Sequence, residues 1–133
     1  MKAVFLLDDK NYRRIYSNET IEKIESKVEN LGRYDIDQLE DIDLSTVDFI
    51  FSGWKGAKID RYLLEKMPNL KVVFYGAGSI KKIQTQEMWN RKIRITSASA
   101  INAIPVAQYT FSIIQLACKD FFRLTREIEK VRK

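Results

Sequence analysis

Short apolar runs alternate along the chain with polar segments in which apolar residues recur at helical spacing. The strongest runs cover residues 3–7, 47–51, 71–75 and 93–96, and a weaker one lies near residues 33–35. The runs are rich in β-branched and aromatic residues, which is typical of buried strands. Strands that alternate with helices predict an α/β domain, with a parallel sheet of about five strands and helices on both faces.

Within this flavodoxin-like, three-layer arrangement, capping residues place three helices between the strands. The helices are predicted over residues 18–29, 60–67 and 85–90, with N-caps at Asn18 or Ser17, at Asp60 and at Thr85. Gly32 is expected to end the first of them, because glycine accepts the left-handed conformation that often follows a helix.

The last predicted helix is unusually long for a chain of this size. Pro105 suits the first helical position, and no residue from there to about Val131 interrupts the helical pattern. About 27 residues at about 1.5 Å each give about 40 Å, against a diameter of roughly 36 Å for a compact chain of this length. The second half is therefore expected to extend past the sheet and to need another surface, from a missing domain or a symmetry partner. The predicted division is a domain over residues 1–104 and a long interdomain and dimerisation helix over residues 105–133.

Composition indicates the class of protein, the cellular compartment and the side chains that are available for catalysis. The 133 residues suit one domain, and 45% hydrophobic and 31% charged residues are typical of a soluble globular protein. No run approaches the roughly 20 apolar residues of a membrane span, and the first run is too short for a signal peptide. The single cysteine, Cys118, favours a reducing cytoplasm, and its place in an apolar helix predicts a buried, inert thiol. The chain has no histidine and therefore no imidazole base.

The net charge of +5 comes largely from basic residues near the end of the chain. They are Lys119, Arg123, Arg126, Lys130, Arg132 and Lys133. Such a cluster is compatible with nucleic-acid binding, but Asp120, Glu127 and Glu129 are interleaved with it. The mixture favours a solvated helix face, and neither a nucleic-acid partner nor a membrane is predicted.

The stretch from Val72 to Ser79 carries the first candidate site. An apolar strand ends there at Gly76 and Gly78, which are one residue apart. Ligands of open α/β sheets bind outside the carboxyl ends of the strands, and successive bare amides form a concave site for an anion. A tight turn without a ligand is the alternative.

Asp8 and Asp9 follow the first strand and suggest the acidic pair of response-regulator receiver domains. A receiver needs a phosphate-accepting aspartate after its third strand, where this chain has Phe51-Ser52-Gly53. It also needs a lysine after the last strand, where this chain has Thr96-Ser97-Ala98. The Mg²⁺ and phosphate site cannot assemble, and no metal is predicted. A flavodoxin is disfavoured further, because no Ser/Thr/Gly phosphate loop follows the first strand.

From Val47 onward the chain carries an ordered set of motifs. They are Ser52-Gly53-Trp54, Pro68-Asn69-Leu70-Lys71, Gly76-Ala77-Gly78-Ser79, Met88-Trp89 and Asn102-Ala103-Ile104-Pro105-Val106-Ala107-Gln108-Tyr109-Thr110. This set resembles the N-terminal domain of the D-isomer-specific 2-hydroxyacid dehydrogenases, a family that includes phosphoglycerate, formate and glycerate dehydrogenases. Residues ahead of Val47 match only in the order of strands and helices.

The resemblance implies that this chain supplies the substrate side of a cleft. The parent enzyme is expected to oxidise a D-2-hydroxy acid to the 2-keto acid, or the reverse, with NAD or NADP. The residues implied to bind the substrate are Gly76, Ala77, Gly78 and Ser79, through their amides, and Trp54 and Lys55, which line the pocket. Those implied to lie near the nicotinamide are Asn102 and Val106. Plain packing is the alternative for Trp54 and Val106, and a helix cap is the alternative for Asn102.

Three departures from the family limit these expectations. Gln108 stands where an acidic residue is usual, and Ser79-Ile80-Lys81 stands where an aspartate is frequent. No glycine follows Gly78 and no histidine is present, so the family's nucleotide domain and its catalytic Arg, Glu and His are missing. The isolated chain is expected to bind no cofactor, to hold no catalytic residue and to be inactive. A fragment cut ahead of the nucleotide domain is favoured over a natural remnant.

A hypothesis of a different class is a stand-alone interaction module that keeps the fold and docks or dimerises through its last helix. In either case the exposed half of that helix predicts a homodimer.

Overall fold

The computed structural model of the protein describes residues 1–131, so Arg132 and Lys133 of the basic cluster lie outside the described residues. Its strands are β1 (Lys2–Leu6), β2 (Glu29–Tyr34), β3 (Phe49–Ser52), β4 (Val72–Tyr75) and β5 (Arg94–Ser97). All pair in parallel and form one sheet in the order β2-β1-β3-β4-β5. This is the strand order of flavodoxin-like domains, and it confirms the predicted fold class.

The helices fall into two units of the chain. The first unit, Met1–Ser99, contains the sheet with α1 (Asp9–Ile15), α2 (Asn18–Glu25), α3 (Arg61–Lys66) and α4 (Gln86–Asn90). The second unit begins at Ala100 and consists of α5 (Ser99–Cys118) from its second residue onward and α6 (Phe121–Val131).

The sheet has two different faces because side chains alternate along each strand. We call the side packed against α3 and α4 the first face; its buried cluster includes Ile50 and Val73 from the strands and Leu63 and Met88 from these helices. The second face carries Phe5, which packs with Tyr16 of the segment that joins α1 to α2. The first face holds the larger core.

The predicted helix caps are confirmed. The Ser17 hydroxyl accepts a hydrogen bond from Thr20 N at 3.3 Å, the Asp60 carboxylate accepts one from Leu63 N at 3.1 Å, and the Thr85 hydroxyl accepts one from Met88 N at 3.2 Å. Each side chain satisfies an amide of the first turn that has no partner within the helix.

The predictions for the first 35 residues were partly wrong. Helix α1 was missed because it has no clear apolar periodicity; Asp8 caps it by accepting from Asn11 N at 2.8 Å. Helix α2 ends at Glu25 and not near Glu29, which begins β2. Gly32 does not end a helix, since it lies inside β2 with φ of +119°, where the register between β1 and β2 shifts. A glycine suits such an irregularity because it has no Cβ.

The prediction of one unbroken helix from Pro105 to Val131 was also wrong. Helix α5 begins six residues before Pro105, at Ser99, and ends at Cys118, while α6 begins at Phe121. Asp120 lies between them with φ of +58°, a left-handed conformation that aspartate tolerates better than most residues. This single residue ends the first helix, and its carbonyl accepts from Leu124 N at 3.0 Å at the start of the second.

Helix α5 has no charged side chain, and its residues are exposed except for Ile113, which is half-buried. By length and composition alone it could cross a bilayer, a property that core helices of soluble proteins share. Cys118, at its end, is exposed rather than buried as predicted. A helical residue is buried only where a neighbour packs on it, and the helical pattern of the sequence does not supply that neighbour.

Asp48 joins the amino ends of three strands. Its carboxylate accepts from Lys2 N at 2.9 Å and from Lys71 Nζ at 2.5 Å, and its backbone carbonyl accepts from Lys71 N at 2.9 Å. The hydrogen bond from the Lys71 side chain, followed by that from the Lys2 backbone, holds the pKa of Asp48 below its usual range.

We expect Asp48→Asn to make the free energy of unfolding fall less steeply as the pH is lowered into the acid range. A carboxyl whose pKa is lowered by folding stabilises the native state above its unfolded pKa of about 3.9, and this contribution is lost as the pH falls through the folded pKa. Urea unfolding of wild type and variant between about pH 6 and pH 2 measures the difference. The matched control is Asp41→Asn, at an exposed residue that makes no ion pair within residues 1–131; equal slopes for all three proteins contradict the prediction.

Candidate functional site

Three loops meet at the carboxyl edge of the sheet, where β1, β3 and β4 end. They are the segments Leu7–Asp9, Gly53–Lys55 and Gly76–Ser79. In this strand order the direction of winding reverses between β1 and β3, and such a switch point opens a crevice that binds ligands. The predicted loop residues Trp54, Lys55 and 76–79 are therefore at one edge of the sheet.

A buried hydrogen-bond group holds these loops together. The carbonyl of Ser52 accepts from the Tyr16 hydroxyl at 2.8 Å and from Gly76 N at 2.8 Å. The Ser52 hydroxyl donates to Leu6 O at 3.0 Å. Burial raises the pKa of the Tyr16 phenol far above its usual range, so the phenol remains a proton donor at any physiological pH.

Glycine at position 76 is required by space. An added Cβ would lie 2.4 Å from Cγ2 of Ile15 and 3.2 Å from the Tyr16 hydroxyl oxygen. Both are closer than an ordinary van der Waals contact. At Gly78, in contrast, an added Cβ would meet nothing within 4 Å. Gly76 thus allows close packing below the loop, whereas Gly78 faces open space.

The backbone amides of the loop also differ in whether they already donate a hydrogen bond. Gly76 N is already paired with Ser52 O, so it cannot hold a ligand carboxylate without breaking that bond. The amides of Ala77, Gly78 and Ser79 donate to no acceptor within residues 1–131. On the other side of the loop, Ala77 O accepts from Ala98 N at 2.9 Å, which ties the loop to the end of β5.

Trp54 and Lys55 follow β3 on this edge. Trp54 is 44% exposed, so packing in a core does not account for it, and the Arg14 guanidinium lies 5.3 Å from its ring centre. Lys55 is exposed, with φ of +59°. The Asn11 backbone N–H, with the Lys55 ammonium as a smaller cause, lowers the pKa of Asp8. Lys55 is thus a cation at the rim, with the Asp8 carboxylate nearby.

Asn102 and Val106 lie in α5, one helical turn apart and both exposed. Spacing of four residues places them on one side of that helix. Asn102 lies inside α5, so it is not the helix cap that was considered as an alternative. They belong to the second unit of the chain, whereas the loop residues belong to the first.

Sequence reasoning missed Ile15, Tyr16 and Ser52, which shape the site from beneath. Ser52 is almost fully buried, and a buried polar residue at the end of an apolar strand is a signal that could have been used. No signal in the sequence pairs Tyr16 with it, since 36 residues separate them. Within residues 1–131 no group of three or more His, Cys, Asp or Glu side chains could hold a metal ion.

Comparison with known proteins finds the same fold in two dehydrogenases. One is a D-lactate dehydrogenase from Aquifex aeolicus solved with NAD and lactic acid; its TM-score is 0.63 at 18% identity, over 97% of this chain and 37% of that chain. The other is an NAD-dependent formate dehydrogenase from Staphylococcus aureus solved with NAD; its TM-score is 0.60 at 19% identity, over 98% of this chain and 41% of that chain. This chain has the fold of part of these enzymes.

Both neighbours are members of the D-2-hydroxyacid dehydrogenase family, so the resemblance inferred from the motifs is confirmed at the level of the fold. The chain spans less than half the length of either enzyme. No protein-family model matches the sequence, and no curated protein matches it.

We expect Gly76→Ala to destabilise the domain by about 1–3 kcal/mol, the usual cost of overpacking, because the new methyl meets Ile15 and Tyr16. The matched control is Gly78→Ala, where the methyl meets open space and the expected change is within about 0.5 kcal/mol. Urea unfolding measures both values. A second variant, Ile15→Ala, should recover part of the loss when combined with Gly76→Ala; equal effects at the two glycines contradict the packing described here.

Proposed function

We propose that this chain is the substrate-binding domain of an NAD(P)-dependent D-2-hydroxyacid dehydrogenase. The observation that carries the proposal is the set of unpaired amides at Ala77, Gly78 and Ser79, at the carboxyl edge of a sheet whose fold is shared with two such dehydrogenases. One of the two, the D-lactate dehydrogenase, was solved with lactic acid, which is a 2-hydroxy acid.

The proposed task of the loop is to hold the carboxylate of a 2-hydroxy or 2-keto acid. Three adjacent N–H groups suit an anion, because each donates a charge-assisted hydrogen bond and the successive amides add their dipoles. Gly76 contributes the shape of the loop rather than a donor, since its amide is used by Ser52. Lys55 supplies positive charge to the rim, and Trp54 supplies an apolar wall against which the carbon chain of the acid can pack.

The redox chemistry is assigned to the rest of the parent enzyme. NAD or NADP supplies the acceptor or donor of the hydride there. This chain has no glycine after Gly78, so no Gly-x-Gly-x-x-Gly phosphate loop of the kind that a dinucleotide needs follows its sheet. It also has no histidine. The part proposed for α5 is that Asn102 and Val106 lie on the side of the helix nearest the nicotinamide. The enzyme is proposed to be cytoplasmic.

A direct test is binding of a small 2-keto acid to the chain itself. We expect pyruvate to shift the amide NMR signals of Ala77, Gly78 and Ser79, with a Kd of about 1 mM, which corresponds to about −4 kcal/mol. Pyruvamide, which has the same shape without the charge, should shift them much less. Lys55→Gln should weaken the binding of pyruvate severalfold, while Lys58→Gln, at another exposed lysine, should not.

Shifts of equal size with pyruvamide would contradict recognition of the carboxylate. No shift at residues 77–79 at millimolar pyruvate would contradict the proposal as a whole. Hydride transfer by this chain alone, followed as NADH-linked turnover, would contradict the proposal that the redox chemistry belongs to the rest of the parent enzyme.

A second candidate function is a stand-alone interaction module, and the exposed apolar residues of α5 and α6 favour it. Those with large exposed side chains are Ile101, Ile104, Val106, Tyr109, Phe111, Ile114, Leu116, Phe121, Phe122, Leu124, Ile128 and Val131. Apolar surface of this extent is typical of an interaction site. Under either function we propose that the chain forms a homodimer through these helices.

We expect the chain to self-associate, as measured by light scattering over a wide concentration range. On α6, Leu124 and Ile128 share one side of the helix at a spacing of four residues. The double variant Leu124→Glu with Ile128→Glu should therefore shift the protein toward the monomer by at least about tenfold in concentration, since charge at an apolar interface is costly. The control, Ile36→Glu, changes an exposed apolar residue of the first unit. A wild-type chain that stays monomeric at every concentration contradicts the prediction.

A further inference from the structure

The last turn of α1 lies against two loops of the candidate site. A Cβ added at Gly53, in the loop after β3, would overlap Cδ1 of Ile15, and one added at Gly76, in the loop after β4, would overlap Cγ2 of the same side chain. Ile15 is the last residue of α1 and therefore packs against both loops. The residue before it, Arg14, is exposed and is carried by the same turn to this edge of the sheet.

The guanidinium of Arg14 lies over the side chain of Trp54. Its central carbon is 5.3 Å from the centre of the ring, a distance at which a cation is attracted to the electron-rich face of an indole. Both side chains are exposed. Because a guanidinium makes its hydrogen bonds in its own plane, contact with a ring leaves those donors free for another partner.

The positive charge of Arg14 is not compensated by the part of the chain that the structure describes. Among residues 1–131 Arg14 forms no ion pair, and its side chain donates no hydrogen bond. Its neighbour Arg13, in contrast, pairs with Asp9 at 3.0 Å. Lys55, which is also at this rim, has the Asp8 carboxylate nearby. Arg14 thus brings to the rim a positive charge with free N–H donors.

We propose that the substrate of the parent enzyme is a 2-keto or 2-hydroxy dicarboxylate, and that Arg14 binds the carboxylate at its far end. This inference rests on the proposed function, in which the amides of Ala77, Gly78 and Ser79 hold the carboxylate next to the reacting carbon. Trp54 then contributes in two ways, since its ring face holds the guanidinium and its apolar surface contacts the carbon chain between the two carboxylates.

The chemistry of Arg14 favours a carboxylate over the other groups that could end the molecule. A guanidinium binds a carboxylate through two parallel hydrogen bonds, and its single positive charge balances the single negative charge of that group. A phosphate carries about −1.5 to −2 at pH 7, which one guanidinium does not balance. An alkyl group offers no acceptor to the free donors of Arg14.

The test compares two ligands of the full chain, 2-ketoglutarate and 2-oxopentanoate. They have the same carbon chain, and the far carboxylate of the first is a methyl group in the second. Titration at constant ionic strength, followed by the amide NMR signals of Ala77, Gly78 and Ser79, measures both dissociation constants. We expect 2-ketoglutarate to bind at least about tenfold more tightly, which is a typical contribution of a hydrogen bond to a charged group.

Substitutions in α1 locate the second contact. Arg14→Gln should bring the two dissociation constants close together, and Arg14→Lys should retain part of the difference, because lysine keeps the charge but lacks the planar fork. The matched control is Arg13→Gln, which removes the same charge from the adjacent exposed residue and should leave the ratio of the two constants unchanged. Comparing the two glutamine variants therefore separates a contact with Arg14 from the general attraction of a dianion to a basic protein.

Two results would overturn the inference while the proposed function stands. One is pyruvate binding at residues 77–79 together with equal affinities for 2-ketoglutarate and 2-oxopentanoate. The other is a preference for 2-ketoglutarate that Arg14→Gln leaves intact or that Arg13→Gln reduces by the same factor. If neither pyruvate nor 2-ketoglutarate shifts the signals of residues 77–79, the proposed function fails and the inference fails with it.

Discussion

The carbonyl oxygen of Ser52 is the point on which the carboxyl edge of this sheet depends. It accepts two hydrogen bonds, one from the Tyr16 hydroxyl and one from Gly76 N, and so joins the end of α1, β3 and the loop after β4. Both donors are buried or half-buried, where an unmade hydrogen bond is costly. The first part of the loop is fixed by this group, and the amides of Ala77, Gly78 and Ser79 that follow donate no hydrogen bond within residues 1–131.

The helices of the first unit bury the two faces of the sheet to different extents. Helices α3 and α4 bury Ile50 and Val73 almost completely on the first face. On the second face the side chains of α1 and α2 cover Phe5 but leave Phe49 and Phe74 only half-buried. A parallel sheet is stable when both faces are covered, so the uncovered part is a place where another polypeptide element can contribute stability.

Much of the fold could be predicted from the sequence because its signals are local. The caps Ser17, Asp60 and Thr85 mark helix starts within a few residues, and apolar runs mark the strands. The misses depend on distant contacts or on backbone geometry. Gly32 indicated a helix end but serves an irregularity between β1 and β2, and Asp120 divides the last helix through a left-handed backbone conformation that the apolar periodicity does not indicate. At the site, the glycine loop was predicted, but the pairing of Gly76 with Ser52 could not be, since it joins two strands.

The hydrogen bond from Ala98 N to Ala77 O has a consequence for the neighbouring peptide unit. The carbonyl of Ala77 and the N–H of Gly78 belong to one planar trans peptide and point in opposite directions. Ala98, by holding the carbonyl, therefore orients the Gly78 N–H toward the other side, and polarisation through the peptide makes that N–H a stronger donor. An arriving anion meets a dipole that is aligned in advance, and the entropy of aligning it has already been lost when the chain folds.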